Sequence, residues 1–327
     1  MLILADILSA TILFAVPLLL VALGGMFSER SGVINIALEG IMIVGALMSC
    51  LALRALDAAG LGATHPQWAM LLAILVAALS GAVYALLLAF ASINLKADQT
   101  IGGTALNMLA PAFAITLTWA IQGQGQTTIL IPTWTRITQA SLGLAETDGF
   151  FQQLIFKSCY LTTPIALLLL ILSTIIMYKT RLGLRLRSCG EFPQAAASVG
   201  INVFKMRYIG VLISGLLGGI GGLAFTVAAG SGFQSSVAGY GFLALAVMIF
   251  GNWKPLNILG ASLFFAFFKI LGSYSSSIPF LPEFSFKSSE YVYLMLPYVV
   301  TMIILVLTSK KSRAPKAEGI PYDKGTR

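Results

Sequence analysis

The chain has 327 residues, of which 58% are hydrophobic and only 10% charged, and its mean hydropathy is +0.91. Soluble domains carry roughly 25% charged residues, so a soluble enzyme is excluded and a polytopic membrane protein is predicted. The net charge of +8 does not argue for nucleic acid, because the basic residues cluster at the ends of apolar runs, as orientation in a bilayer requires.

Taken in chain order, the apolar runs predict an all-α transmembrane bundle of about nine spans, each of about 20 residues. They lie near 7–26, 31–52, 68–91, 100–121, 160–178, 205–229, 238–251, 255–273 and 291–309. Only an acid, Asp6, precedes the first run, which makes it a poor signal peptide and a retained span. The second run opens with Asn35 and Glu39, four apart and therefore on one helical face. Its connection to the first is only a few residues, which reads as a broken or partly re-entrant helix; such backbone is tolerated where protein or water covers it. An ionisable group in a span faces a cavity or a partner, so Asn35 and Glu39 either line a translocation path or brace a neighbouring helix. Lys96-Ala97-Asp98-Gln99 is a turn before the fourth span, where Gly102, Gly103, Thr104 and Asn107 suit close helix approach; Asn107 is a candidate solute contact as well as a packing residue.

Between the fifth and sixth runs lies a polar island, 179–207, rich in Lys and Arg. Within it, Glu191-Phe192-Pro193 can start a short helix, since proline fits a first turn. Gln194, Ala195, Ala196 and Gly200 then give a small-residue surface and a glycine turn. Two readings stand: a solvated loop, or a short helix that docks on a soluble partner. The stretch Ser214-Gly215 to Gly221-Gly222 lacks Gly-Lys-Ser/Thr and lies in a span, so it serves helix packing rather than nucleotide binding. If the island is cytoplasmic, fifteen of the twenty Lys and Arg residues fall inside. Arg54, Arg136, Lys157, Lys269 and Lys287 are left outside, which sets the N-terminus out and the C-terminus in. Residues 1–309 then form the membrane domain, with the loop 179–207 cytoplasmic and 310–327 a basic cytoplasmic tail. Cys50, Cys159 and Cys189 form no disulfide framework, and a single histidine, His65, makes no metal site. No catalytic residue is identified.

Several segments together resemble the permease subunits of ABC importers for simple sugars and nucleosides, within the branched-chain amino-acid and ribose permease group. They are Ser28-Glu29-Arg30-Ser31-Gly32 through Leu38-Glu39-Gly40, Lys96-Ala97-Asp98-Gln99, Thr180 to Arg187, Ala195-Ala196 to Val203, Gly239 to Trp253, Leu296-Pro297-Tyr298 and the tail from Gly319. The Lys-Ala-Asp-Gln turn is most like the second permease of nucleoside systems. The resemblance implies a non-enzymatic transport subunit in a bacterial inner membrane that binds no cofactor itself. ATP and magnesium would belong to a cytosolic ATPase, and the other partners would be a second permease and an extracytoplasmic solute-binding lipoprotein. Glu191, Gln194, Ala195, Ala196 and Gly200 would couple to the ATPase. Gln194 stands where the broader coupling motif has glutamate, and Phe192 where asparagine is expected. The competing class is an ion-coupled secondary transporter, which would need a coupling-ion site and often an internal repeat; no clear repeat is seen.

Overall fold

The computed structural model describes residues 2–137, 159–274 and 314–323, with isolated positions between 295 and 303. Eleven helices run through these residues: α1 (Leu2–Arg30), α2 (Leu38–Ala58), α3 (Leu61–Thr64), α4 (Pro66–Ala89), α5 (Gln99–Gln122), α6 (Thr162–Lys179), α7 (Arg181–Glu191), α8 (Pro193–Ser198), α9 (Val203–Ala229), α10 (Tyr240–Phe250) and α11 (Pro255–Ser273). Strand pairing among the described residues is limited to Arg136–Ile137 with Cys159–Tyr160 and an isolated bridge between Ile129 and Phe233. The protein is a polytopic helical membrane protein. Seven helices among the described residues are long and apolar enough to cross a bilayer: α1, α2, α4 with its π-helical extension to Asn94, α5, α6, α9 and α11.

One of the expected spans is corrected. The run 238–251 contains only the 11-residue helix α10, which rises about 16 Å at 1.5 Å per residue, about half of a hydrocarbon core. The run 31–52 is broken, as its short connection and early polar residues suggest: α2 starts at Leu38 and 31–37 is unwound. The ninth run, 291–309, and the Leu296-Pro297-Tyr298 segment fall largely outside the described residues.

Helix α9 is the centre of the bundle and packs on α1, α2 and α4. Its glycines make that possible. A Cβ built on Gly219 would lie 2.0 Å from the Ala77 carbonyl oxygen of α4, and one on Gly222 2.0 Å from the Met42 oxygen of α2. Two neighbouring backbones therefore touch α9 where any side chain would hold them away. In a bilayer, where lipid tails are as apolar as leucine, such close packing is what drives helix association.

Candidate functional site

The unwound segment 31–37 leaves backbone N–H and C=O groups without helical partners inside an apolar bundle, where each unmade bond costs several kcal/mol. Two side chains of α5 supply bonds to this segment, and a third contact ties it to α9. The Ile34 amide donates to Gln99 Oε1 at 2.7 Å. Asn107 works in both directions: its Nδ2 donates to the Ile36 oxygen and its Oδ1 accepts from the Gly40 amide, each at 2.8 Å. Asn35 Nδ2 donates to Ser214 Oγ of α9 at 2.8 Å, while its Oδ1 and Gln99 Nε2 are buried without a partner among the described residues. The local sequence explains the placement of Gln99. Lys96 takes a left-handed turn (φ 53°), and Asp98 Oδ1 then caps α5 by accepting from the Thr100 and Ile101 amides. The next side chain is thereby aimed at 31–37.

Glu39, in the first turn of α2, closes the same cluster from the other side. Its Oε1 accepts from the Gly239 amide at 2.9 Å and its Oε2 from the Gly241 amide at 2.7 Å. The carboxyl group thus caps the N-terminus of the half-length helix α10, where unpaired N–H groups and the helix dipole favour a negative charge. Lys269 of α11 reaches the same point, its Nζ 3.9 Å from the centre of the buried Tyr240 ring. The three residues expected along a translocation path, Asn35, Glu39 and Asn107, are therefore brought together. All three are at most 9% exposed and engaged in tying broken helix ends to α5, α9 and α10.

The other end of α10 is held as firmly. The turn to α11 places both Asn252 and Trp253 at positive φ, 51° and 52°. The Trp253 indole N–H donates to Glu29 Oε2 of α1, and Arg30 Nη2 donates to the Trp253 oxygen at 3.4 Å. The role of Trp253 was missed; its position in a Gly-Asn-Trp turn was the available signal. Arg30 Nη1 also lies 3.9 Å from Glu191 Oε1, at the end of α7.

The island residues gather at this end. Thr180 Oγ1 caps α7 and Asn202 Oδ1 caps α9, with α8 between them. Gln194, Ala195 and Gly200 are exposed, Glu191 is half-buried, and Ala196 is 3% exposed and packs inward. The exposed alanine surface is therefore Ala195 alone, continued by Ser198 and Val199. Gly200 sits at φ 85°, and a Cβ there would meet nothing within 4 Å. Buried Cys189 has its thiol pushed up by burial, against the pull of Arg207 and Ser188. Residues 314–323 lie against the same end, where burial pushes the Glu318 carboxyl up, against lowering by its hydrogen bond to Glu29 and by the Arg30 charge. At the opposite end a cavity of about 620 Å³ is lined by Arg54, Asp57, Gln122, Gln126 and Thr128, among others, with the Trp134 indole donating to Asp57 Oδ1 at 2.6 Å.

Residues 7–307 match the family model described as branched-chain amino acid transport system / permease component. The chain is 44% identical over 99% of its length, and 98% of the relative's, to the guanosine ABC transporter permease protein NupQ of Bacillus subtilis. It is 40% identical, over 96% and 95% respectively, to the nucleoside ABC transporter permease protein NupC of Lactococcus lactis. A second permease from that organism, the nucleoside ABC transporter permease protein NupB, is 26% identical over 76% of this chain and 68% of its own. No solved structure matches.

Proposed function

The chain belongs to the branched-chain amino acid transport system / permease component family, and on that premise we propose that it imports nucleosides as one of two permease chains in an ATP-driven complex. It is the membrane permease subunit of an ABC importer for nucleosides or simple sugars, a transport component rather than an enzyme. The observation that carries the reading is similarity over nearly the whole chain to two permeases named for guanosine and nucleoside transport. A permease of this family works with a separate ATPase and a second permease, and ATP and magnesium belong to that ATPase.

In this proposal the α7–α8 end is cytosolic and the N-terminus lies outside, in a bacterial inner membrane. Short α8, with Glu191, Gln194, Ala195, Ala196 and Gly200, receives the ATPase. An extracytoplasmic lipoprotein delivers solute to the opposite end. The broken-helix cluster at Asn35, Glu39 and Asn107 sits beside the path as its movable brace. Supporting this is the arrangement of α10, pinned at one end to Glu39 and at the other to Glu29 and Arg30.

Reconstitution tests the proposal. Liposomes holding this chain, its second permease, the ATPase and the receptor are expected to accumulate nucleoside only with ATP. Liposomes holding this chain alone are expected to accumulate none. Accumulation by this chain alone under a proton or sodium gradient would overturn the reading in favour of an ion-coupled transporter.

A further inference from the structure

The C-terminal segment 314–323 belongs in sequence to a basic tail, and it is bound to four parts of the molecule. The Ala317 amide donates to the Gly190 oxygen of α7 at 2.8 Å. The Ile320 oxygen accepts from Arg207 Nη1 of α9 at 2.9 Å. Asp323 Oδ2 pairs with Lys96 Nζ at 3.2 Å. The Tyr322 ring, 6% exposed, stands edge-on to Phe204 at 5.4 Å, and Lys316 Nζ lies 5.2 Å from the centre of the Phe192 ring beside α8.

These contacts fix the backbone but leave apolar groups outside. Ile320 is 58% exposed, and on the α8 side Phe192 and Val199 are 58% and 75% exposed. All three lie outside the helices long and apolar enough to cross a bilayer. Next to α8 is a cavity of about 260 Å³ lined by Ala197, Gly200, Ile201, Asn202 and Val203 from one side and Tyr322 of the tail from the other. That is below the roughly 300–1,000 Å³ of small-molecule sites, which suits a single side chain better than a free ligand. Exposed Lys205 lies two positions beyond the lining residue Val203, and exposed Lys316 lies over Phe192 next to α8, so this end of the molecule attracts carboxylates.

We propose that residues 316–322 are the second half of the ATPase-docking surface, and that the cavity between the tail and α8 receives an apolar side chain of the ATPase flanked by acidic residues. This deepens the reading of α8 as the ATPase contact and rests on it. The tail explains why the α8 face alone is so small: the helix has six residues, and docking needs a wall opposite it. It also explains Gly200, which makes no internal packing contact through its α-carbon face yet lines the cavity with its left-handed turn.

The test uses the full complex. Each variant is co-expressed with the second permease and the ATPase, and ATPase recovery on the purified permease pair is measured. Ile320→Asp keeps the backbone oxygen that Arg207 holds, and it is expected to lower ATPase recovery at least tenfold while the permease pair stays intact. Val199→Asp, just past the end of α8, is expected to do the same. A benzophenone photocrosslinker at position 320 is expected to yield an adduct with the ATPase chain. Loss of recovery with Val199→Asp but full recovery with Ile320→Asp, together with no adduct at 320, overturns the composite surface and leaves the α8 reading standing. Full recovery with both overturns both. An adduct at 320 supports the composite surface even where Ile320→Asp lowers expression.

Discussion

Replacing Glu39 with leucine removes the acceptor for two backbone amides, Gly239 at 2.9 Å and Gly241 at 2.7 Å, at a site 8% exposed. Hydrogen bonds to a charged group contribute about 1.5–3 kcal/mol each, and a buried donor left unpaired costs about 1–3 kcal/mol. In membranes the denatured reference state finds alternative partners, and measured side-chain bonds average only about 0.6 kcal/mol. Two bonds lost together at a helix N-terminus are therefore expected to cost about 2–4 kcal/mol, between those limits. Glu39→Gln keeps one amide oxygen as an acceptor and should recover about half. The assay is thermal unfolding of the purified permease pair in detergent, with ATP-dependent nucleoside uptake measured on the same variants in liposomes. The expected order for both is wild type, then Gln, then Leu. Wild-type unfolding and uptake in Glu39→Leu would refute the claim that this carboxyl holds the α10 end.

Gly219→Leu is expected to abolish the folded bundle, because its Cβ would fall 2.0 Å from a backbone oxygen of α4, whereas Gly260→Leu, where a Cβ meets nothing within 4 Å, should purify normally; monodispersity by size exclusion separates the two. Gly190→Ala is expected to lower the uptake obtained per ATP hydrolysed more than Glu191→Gln, since a Cβ at Gly190 would lie 2.4 Å from the Arg30 oxygen; equal effects would contradict this. The raised carboxyl of Glu318, which faces Glu29 and Arg30, makes tail docking depend on pH. A buried carboxyl with a raised value is fully accommodated when protonated, and the penalty develops as pH rises from the ordinary 4.5 through the raised value. Proteolysis at the tail should thus be slower at mildly acidic than at mildly alkaline pH, and Glu318→Gln should remove the difference.

Much of the fold was legible because long apolar runs report spans directly, and α4, α5, α6, α9 and α11 begin and end within a few residues of their expected bounds. The break at the start of the second run was legible too, from its short connection and from Asn35 and Glu39, but the length of α10 was not. Helix α10 has the apolar composition of a span but starts only at Tyr240, after the stretch 230–239 that bridges to Ile129 through Phe233. The unwound 31–37 is bonded by side chains far along the chain, with Gln99 accepting from Ile34 and Asn107 donating to Ile36. At the candidate site, the four-residue spacing of Asn35 and Glu39 placed both in the interior, but they act in different directions. Asn35 lies in the unwound segment toward α9, and Glu39 lies in the helix toward α10. A helical spacing rule could not separate them. The docking of the tail was not legible either: composition marks 310–327 only as basic, whereas backbone bonds through Ala317 and Ile320 hold 314–323 against the bundle.

The geometry also decides which contact between α7–α8 and the broken core is stiff enough to carry a displacement. The ion pair between Glu191 and Arg30 is 3.9 Å long, with the Glu191 side chain 44% exposed. Exposed pairs of that kind contribute at most about 1 kcal/mol and are screened by salt. The Gly190 contact is different in kind, because the Gly190 α-carbon rests on the Arg30 backbone with no side chain between them, and close-packed atoms resist compression far more than a solvated pair resists stretching. Arg30 is followed within two residues by Gly32 at φ 95°, where the chain leaves α1 for the unwound segment. Beside it, Glu29 holds the Trp253 indole and hence the last turn of α10. A shift of α7 against α1 therefore meets, at one point, both strands of the broken core: the start of 31–37 and the α10–α11 turn. On the proposed reading, an ATPase pressing on α8 would act on these two together, and Glu39, which ties the far ends of the same two elements, is where their relative movement must be absorbed.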